Sequence, residues 1–338
     1  MIADPSAPAG APREEAVAGR MARPQGRVDA VRTSRATPTA GWERRPATRS
    51  PMRFGICVPL GTFVPPTSGA AQLDERGVLD ARMRQLQEAL RVVEDAGCEY
   101  LEFGVGLLTP EEPESVFERL RLALQGTSLV PECFSSYVPP DIPLVGDRRD
   151  RKRIENYVAV SARRVAALGG KIIVLGSGKA RSIPEGVPRE TAEAHLVEFL
   201  RLTAEHARAN GIRVAIEPMC RLESNILNSV VEALALAQRV DRPEIGVLAD
   251  FYHLEVEKEP FEHISRAGKH LLHVHVADTG RLHPGSGRYD YPGFWRALRG
   301  AGYEGRVTIE CNWRDFTAEA RPAMRFLRRS SGLTLGFR

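Results

Sequence analysis

Eight short apolar runs, each followed by a longer stretch with helical periodicity, constrain the fold of this chain more than any other feature. The runs have the length and composition of buried strands and lie at 53–60, 100–105, 129–135, 171–175, 213–217, 245–250, 271–277 and 306–310. The amphipathic stretches between them include 81–96, 114–124, 153–168, 191–209, 229–240 and 261–267. Strands that alternate with helices form a parallel sheet covered by helices. The sequence therefore predicts an α/β fold.

The number of strands favours a closed (β/α)8 TIM barrel over an open doubly wound sheet. Such a barrel needs roughly 250 residues, and the part of the chain that begins at Met52 is long enough. The first turn between strand and helix, residues 59–63, lacks the GxGxxG motif of dinucleotide-binding sheets. We therefore predict one barrel domain over residues 52–330, followed by a short C-terminal tail at 331–338.

Residues 1–51 differ in composition from the rest of the chain. They are rich in Ala, Pro, Arg and Gly and have no sustained apolar period, so we expect a disordered basic extension. Nine arginines against five acidic residues give this segment the whole net charge of +4, and the remaining chain is neutral. A neutral barrel has no basic surface for the phosphate backbone of a nucleic acid, so we expect no nucleic-acid partner. A binding arm, or a start codon assigned upstream of Met52, remains an alternative explanation of the segment.

Membrane insertion and a disulfide framework are both disfavoured. No apolar run approaches the ~20 residues that span a bilayer, and the N-terminus lacks the apolar core of a signal peptide. The five cysteines are odd in number and form no CxxC pair, which fits reduced thiols. These features predict a cytoplasmic protein with no membrane partner. The oligomeric state stays open, with a homo-oligomer among the alternatives.

The last four predicted strands each carry a residue that can bind a metal at or near the C-terminal end. These residues, called the ligand group below, are Glu217, Asp250, His275 and Glu310. They are 33, 25 and 35 positions apart, about one βα unit each, which brings them to the same rim of a barrel. Three carboxylates and one imidazole suit a divalent ion with mostly oxygen ligands. We predict one such ion, Mn²⁺ first, with Co²⁺ or Mg²⁺ as alternatives.

Each member of the ligand group also has a structural explanation when it is considered alone. A single carboxylate at a strand end often forms a salt bridge or caps a helix. His273 lies on the same face of its strand as His275 and is a second candidate ligand. The joint occurrence on four successive strands favours the metal site, because buried carboxylates are costly unless they are paired or bind a cation.

Four stretches that contain the ligand group resemble the sugar isomerase/epimerase superfamily, the xylose isomerase-like barrels that include D-tagatose 3-epimerase and D-psicose epimerase. They read IEPMCRLESN (216–225), LADFYH (248–253), HVHVADTGRLHPGSG (273–287) and VTIE (307–310). The resemblance covers roughly residues 52–329. It implies that the ligand group binds the metal and that Glu217 and Glu310 also act as acid and base. It further implies that Glu223, His253 and Arg281 contact the substrate.

The resemblance predicts an isomerase or epimerase of a ketose sugar or sugar phosphate. Removing a proton next to a ketone requires a Lewis acid that polarises the carbonyl and a carboxylate within reach of the carbon. Two carboxylates on opposite faces of a metal-bound cis-enediolate invert a stereocentre, and one that shuttles the proton between carbons isomerises the sugar. The partner is a small sugar of open identity. A Gly-rich turn at 176–178, with Lys179 and Arg181, suggests a place for an anion.

Three alternatives remain at this stage. An inosose-dehydratase-like lyase of the same superfamily begins with the same proton removal, and a non-catalytic sugar-binding barrel keeps the fold alone. An endonuclease IV-like nuclease resembles the chain at Asp250, His253, His275 and Glu310. That nuclease needs a trinuclear zinc cluster with histidines on the second and third strands. Here these strands read YLEFGVG and LVPECFSSY and contain no histidine, which disfavours the nuclease.

Overall fold

In the computed structural model of the protein, residues 52–59, 75–108 and 110–332 are described. They form a closed barrel of eight parallel strands, in which each strand pairs with its neighbour in sequence and the eighth pairs with the first. The strands are β1 Arg53–Cys57, β2 Tyr100–Gly104, β3 Pro131–Ser135, β4 Ile172–Leu175, β5 Arg213–Ile216, β6 Ile245–Asp250, β7 Leu271–Val276 and β8 Arg306–Ile309. The predicted (β/α)8 barrel is confirmed, and each predicted strand overlaps one of these eight.

Helices follow the strands and surround the barrel. They are α1 Glu75–Ala96, α2 Glu114–Leu124, α3 Arg151–Ala167, α4 Gly178–Arg181, α5 Arg189–Ala209, α6 Val230–Val240, α7 Phe251–Glu257, α8 Glu262–Ala267, α9 Tyr291–Gly300 and α10 Phe316–Ser330. Short 3-10 turns lie at Val105–Leu108, Gly268–His270 and Thr279–Arg281. The short helices α4 and α7 directly follow β4 and β6, and no sequence period predicted them. No helix in the described ranges combines the length and apolarity needed to cross a membrane.

Two apolar layers hold these elements together. The outer layer lies between strands and helices, where Phe294 and Trp295 of α9 are fully buried. The ring of Phe294 stacks on Phe251 with the centroids 4.2 Å apart, which fixes the start of α7 at the end of β6. A second buried cluster comes from strand residues alone, as expected for the inside of a barrel: Tyr100, Cys133, Ile172, Val174, Ala215, Leu248 and Leu272.

The first and last elements of the barrel lie near the two ends of the described residues. β1 begins at Arg53 and α10 ends at Ser330, close to the predicted bounds of 52 and 330. The predicted extension at 1–51 lies outside the described residues, and so does most of the predicted tail, residues 333–338.

Candidate metal centre and active site

The ligand group comes together at the C-terminal ends of β5 to β8. Glu217 directly follows β5, Asp250 ends β6, His275 lies near the end of β7, and Glu310 directly follows β8. One nitrogen or oxygen atom from each of the four side chains lies within 4.8 Å of the corresponding atoms of the others. This spacing allows all four atoms to contact a single ion.

Asp250 provides the clearest sign that the group is suited to a cation. Its Oδ1 atom accepts hydrogen bonds from the backbone amides of Tyr252, at 2.7 Å, and His253, at 3.4 Å, and so caps α7. Its Oδ2 atom is buried and accepts no hydrogen bond from any described residue. A buried carboxylate oxygen without a partner is costly. A divalent cation between the four side chains would supply that partner, so these residues fit the implied metal.

His275 is oriented by Glu102, a residue of β2 that the sequence did not single out. The Nε2 atom of His275 lies 2.9 Å from Oε1 of Glu102, and both side chains are fully buried. The Nδ1 atom faces the carboxylates instead, 3.1 Å from Oε1 of Glu217 and 3.4 Å from Oε2 of Glu310. When the Nε2–H group donates to Glu102, the lone pair of Nδ1 is directed at the ligand group.

His273 lies outside the ligand group, although it shares its strand face with His275. Its Nε2 atom is 2.8 Å from Oε2 of Glu102 and 3.2 Å from Oγ1 of Thr308. Its Nδ1 atom lies 3.9 Å from the thiol sulfur of Cys133. Of the two candidate histidines, only His275 is therefore directed towards the carboxylates of Glu217 and Glu310.

Four carboxylates, the three of the ligand group and Glu102, shape the electrostatics of the site. Burial lowers the pKa of His275, but the charges of Glu102 and Glu310 outweigh burial and raise it well above the ordinary value. Burial, reinforced by the charge of Glu310, raises the pKa of Glu217. Burial also raises the pKa of Glu310, but His275 and Arg281 outweigh it and lower this pKa to about 2. The two carboxylates predicted as acid and base therefore differ, and Glu217 holds a proton more readily than Glu310.

The three predicted substrate contacts border the same site. Arg281 donates from Nη1 to Oε1 of Glu223, at 2.9 Å, and from Nη2 to Oε2 of Glu310, at 3.0 Å. Its guanidinium carbon lies 4.9 Å from the ring centroid of Tyr252. His253 accepts at Nδ1 from the backbone amide of residue 220, at 3.1 Å, so its neutral form carries the proton on Nε2. That buried Nε2 atom makes no hydrogen bond to a described residue and lies 3.8 Å from Oδ2 of Asp250.

A cavity of about 810 Å³ opens beside the ligand group. Four charged side chains line its end beside the ligand group: Glu217, Glu223, Arg281 and Glu310. The rest of the lining includes apolar side chains of α1, α2, the turn at Val105–Leu108 and the loop after β3. Small-molecule sites range over about 300–1,000 Å³, so this cavity is large enough for a sugar.

The family to which the chain belongs follows from comparison with known proteins. Residues 90–330 match the family described as xylose isomerase-like TIM barrel. The chain belongs to this family. The predicted resemblance is thereby confirmed over most of its range.

Curated relatives of this xylose isomerase-like barrel bear the names of sugar epimerases. A probable ketose 3-epimerase of Synechocystis sp. is 32% identical over 127 residues, which are 37% of this chain and 44% of the relative. L-ribulose 3-epimerase of Methylomonas sp. is 30% identical over 172 residues, 51% of this chain and 57% of the relative. The aligned parts thus span about half the length of these relatives. Their names agree with the predicted reaction class.

A solved structure shows the same fold over a longer range. D-allulose 3-epimerase from Methylomonas sp., solved in complex with D-allulose, superposes with a TM-score of 0.69 at 20% identity. The match covers 83% of this chain and 98% of that chain. At this level of identity the likeness concerns the fold.

The turn after β4 of this xylose isomerase-like barrel has a different role from the predicted anion site. Arg181 is fully buried and donates from Nη1 and Nη2 to the backbone carbonyls of Leu175 and Glu217, each at 2.7 Å. Burial lowers the pKa of Arg181 to about 10. Of the two basic residues in the turn, only Lys179 lines the cavity. Arg181 therefore holds the backbone at Glu217 and is not available to an anion, so that part of the prediction is wrong.

Proposed function

We propose that this protein is an epimerase or isomerase of a ketose or related keto sugar and depends on one divalent metal ion. The observation that carries the proposal is the convergence of four ligand-type side chains, with the unpaired oxygen of Asp250, beside a cavity large enough for a sugar. Membership of the xylose isomerase-like family and the names of the curated relatives support the same reaction class.

Glu217 and Glu310 are assigned to proton transfer because both carboxylates belong to the ligand group and line the cavity. A metal ion held by the ligand group supplies Lewis-acid polarisation of the substrate carbonyl. One carboxylate removes the proton from the carbon next to the carbonyl, which leaves that carbon planar. Return of a proton by the other carboxylate inverts the centre. Return by the same carboxylate to the neighbouring carbon interconverts aldose and ketose.

Glu223, His253 and Arg281 are assigned to binding the sugar. Arg281 has guanidinium N–H groups at the end of the cavity beside the ligand group, where its ion pairs with Glu223 and Glu310 keep it in place. The Nε2–H group of His253 is a buried donor without a partner among the described residues. Glu223 offers carboxylate oxygens at the cavity edge. Donors and acceptors in fixed positions select the orientation of a polyol.

Mn²⁺ is the proposed ion, with Co²⁺ or Mg²⁺ as alternatives, because three carboxylates and one imidazole form a mostly oxygen donor set. The test is elemental analysis of the protein after reconstitution with Mn²⁺ and removal of excess ion. We expect about one ion per chain, and loss of the ion in Asp250→Ala and in His275→Ala. Glu223→Ala is the matched control, since it removes a carboxylate from the same cavity but outside the ligand group. Wild-type protein without bound metal would contradict the assignment, as would equal loss in the control.

A further inference from the structure

The loop between β7 and α9, residues 277–290, brings Arg281 to the cavity from an uncommon backbone conformation. Arg281 has a φ of 58°, in the left-handed region that residues other than glycine rarely adopt. Its guanidinium nevertheless donates to Glu223 and Glu310 at the same time. Such a backbone conformation persists only where the surrounding structure holds it. The contacts that hold this loop therefore decide where the guanidinium of Arg281 lies.

The carboxylate of Asp278 holds the loop from inside. Asp278 is buried, and its Oδ1 atom accepts hydrogen bonds from the backbone amides of Thr279, at 2.8 Å, and Tyr289, at 3.2 Å. Its Oδ2 atom accepts from the backbone amide of Gly285, at 3.0 Å. Hydrogen bonds to a charged acceptor are roughly twice as strong as those between neutral groups. One buried carboxylate thus joins the start, the middle and the end of the loop.

Two further contacts fix Asp278 relative to Arg281. The backbone amide of Asp278 donates to the carbonyl of Leu282, at 2.8 Å, so the residues on either side of the turn at Thr279–Arg281 are bonded to each other. The loop has room for the carboxylate because residue 287 is glycine, since a Cβ atom at Gly287 would collide with Oδ1 of Asp278. The path of the chain through Arg281 is therefore set by Asp278.

We propose that Asp278 is a positioning residue for Arg281: its carboxylate folds the loop so that the guanidinium lies where it can bind the sugar. Asp278 is not among the described residues that line the cavity, and it does not belong to the ligand group. It acts through Arg281, and it touches neither the sugar nor the ion. The inference rests on the proposed function, in which Arg281 contacts the substrate.

The test is a double-mutant cycle of Asp278→Asn and Arg281→Gln in the Mn²⁺-loaded protein. Asp278→Asn keeps the size of the side chain but turns an amide group towards N–H donors. Deuterium exchange in D₂O is measured with whichever of D-allulose, D-fructose, D-tagatose and L-ribulose the wild-type protein exchanges fastest. Asp278→Asn should lower kcat/KM about 10–100-fold, the effect of one hydrogen bond from a charged donor to the substrate, with the larger change in KM. In the Arg281→Gln background it should lower kcat/KM about twofold or less. Additive losses would overturn the inference.

Metal affinity separates positioning from a general structural role. Calorimetric titration of Asp278→Asn should show no rise in the Kd for Mn²⁺, because the ligand group is intact. A rise that accompanies the loss of kcat/KM would mean that the whole rim is disturbed, and would overturn the inference. Asp150→Asn is the matched control, since Asp150 caps α3 by accepting from the amide of Arg153, at 3.0 Å, and does not line the cavity. It should keep the wild-type kcat/KM. If Asp278→Asn fails to fold, Gly287→Ala displaces the same carboxylate and should change KM in the same direction.

Urea unfolding follows the same cycle without a substrate. Arg281→Gln removes the ion pairs with Glu223 and Glu310 and should lower the unfolding midpoint. In the Asp278→Asn background that decrease should be less than half as large, because Arg281 is already displaced from both glutamates. Equal decreases in the two backgrounds would overturn the inference. Absence of deuterium from all four ketoses would instead contradict the proposed function, and the unfolding cycle would still decide whether Asp278 positions Arg281.

Discussion

The two halves of the barrel contribute different things at the same rim. Glu217, Asp250, His275 and Glu310 project from the ends of β5 to β8. At the ends of β2, β3 and β4 the chain instead has small residues, namely Gly104, Ser135 and Gly176. Small residues leave space there, and the cavity extends over that side. The second half therefore carries the ligand group, and the first half leaves the space beside it.

Glu102 connects the two halves. It belongs to β2, in the half without members of the ligand group, yet its carboxylate contacts His275 and His273 of β7 across the barrel. Burial alone would raise the pKa of Glu102, but the two histidines outweigh burial and hold it well below its usual range. The position of His275 in the second half therefore depends on one buried carboxylate of the first half, that of Glu102.

The largest effect is expected from removing either proposed proton-transfer group in the second half. Glu217→Gln and Glu310→Gln keep side-chain size and a ligand oxygen but remove the base. We expect turnover to fall by roughly 10²–10⁴-fold, as is usual for general acid–base catalysis. Deuterium incorporation from D₂O, followed by NMR, measures the loss.

The same assay separates this mechanism from its alternatives. An epimerase or isomerase returns a product with the substrate's mass apart from the label, whereas a dehydratase of the same superfamily would also release water. A nuclease would cleave abasic DNA without any exchange. Wild-type exchange rates in either glutamine variant would show that the carboxylate at that position is not a base.

The second-largest effect is expected from a substitution of Gly176, which follows β4 in the first half. A Cβ atom at this position would collide with the carboxylate of Glu217. Gly176→Ala should therefore displace Glu217, and a misplacement of about 1 Å can lower turnover by about 10²-fold. Gly104→Ala is the control, because a Cβ there meets no heavy atom within 4 Å although the residue also lines the cavity. Equal activity of the two variants would contradict close contact between the halves at this point.

A smaller effect is expected at the connection between the halves. Glu102→Gln removes the charge that orients His275, and the Kd for Mn²⁺ should rise about 10–100-fold, as for other partners of metal-binding histidines. Calorimetric titration measures the Kd, and the rise in melting temperature on adding Mn²⁺ should shrink in parallel. Thr308→Val is the control, since its hydroxyl contacts His273, at 3.2 Å, rather than His275. An unchanged Kd in Glu102→Gln would mean that the ligand group does not need this contact.

The smallest effect is expected from removing residues 1–51, which should leave both halves unchanged. β1 begins at Arg53, and the family match begins at residue 90. A chain that starts at Met52 should keep its melting temperature and its rate of deuterium exchange. Loss of either would assign the extension a structural role.

The fold and the ligand group were predictable because their signals are local. Strand runs and helical periods repeat within a few residues, and a charged residue at the end of an apolar strand is visible in the sequence itself. The spacing of one βα unit then places Glu217, Asp250, His275 and Glu310 at one rim. The proximity of the four side chains in the structure agrees with that prediction.

The partners of individual side chains were not predictable in the same way. Glu102 and His275 are 173 positions apart, and only closure of the barrel brings them together. One glutamate within the apolar run of β2 was a usable signal, because a charge inside a buried strand needs a partner. The sequence suggested Arg181 as an anion ligand because it shows the charge and not its partners. The hydrogen bonds from Arg181 to backbone carbonyls depend on how the turn after β4 folds. Helices as short as α4 contain about one turn, which is too short to show a period.

Closure of the barrel also has a consequence for assembly. A strand at the edge of an open sheet exposes unpaired amides and carbonyls, to which another chain can add a strand. Each of the eight described strands instead has a parallel neighbour on both sides. If copies of this barrel associate, the contacts at the barrel wall must come from helix faces and loops. Substitutions that alter self-association should therefore be sought on the outer surfaces of α1 to α10, and the sheet itself offers no template for aggregation.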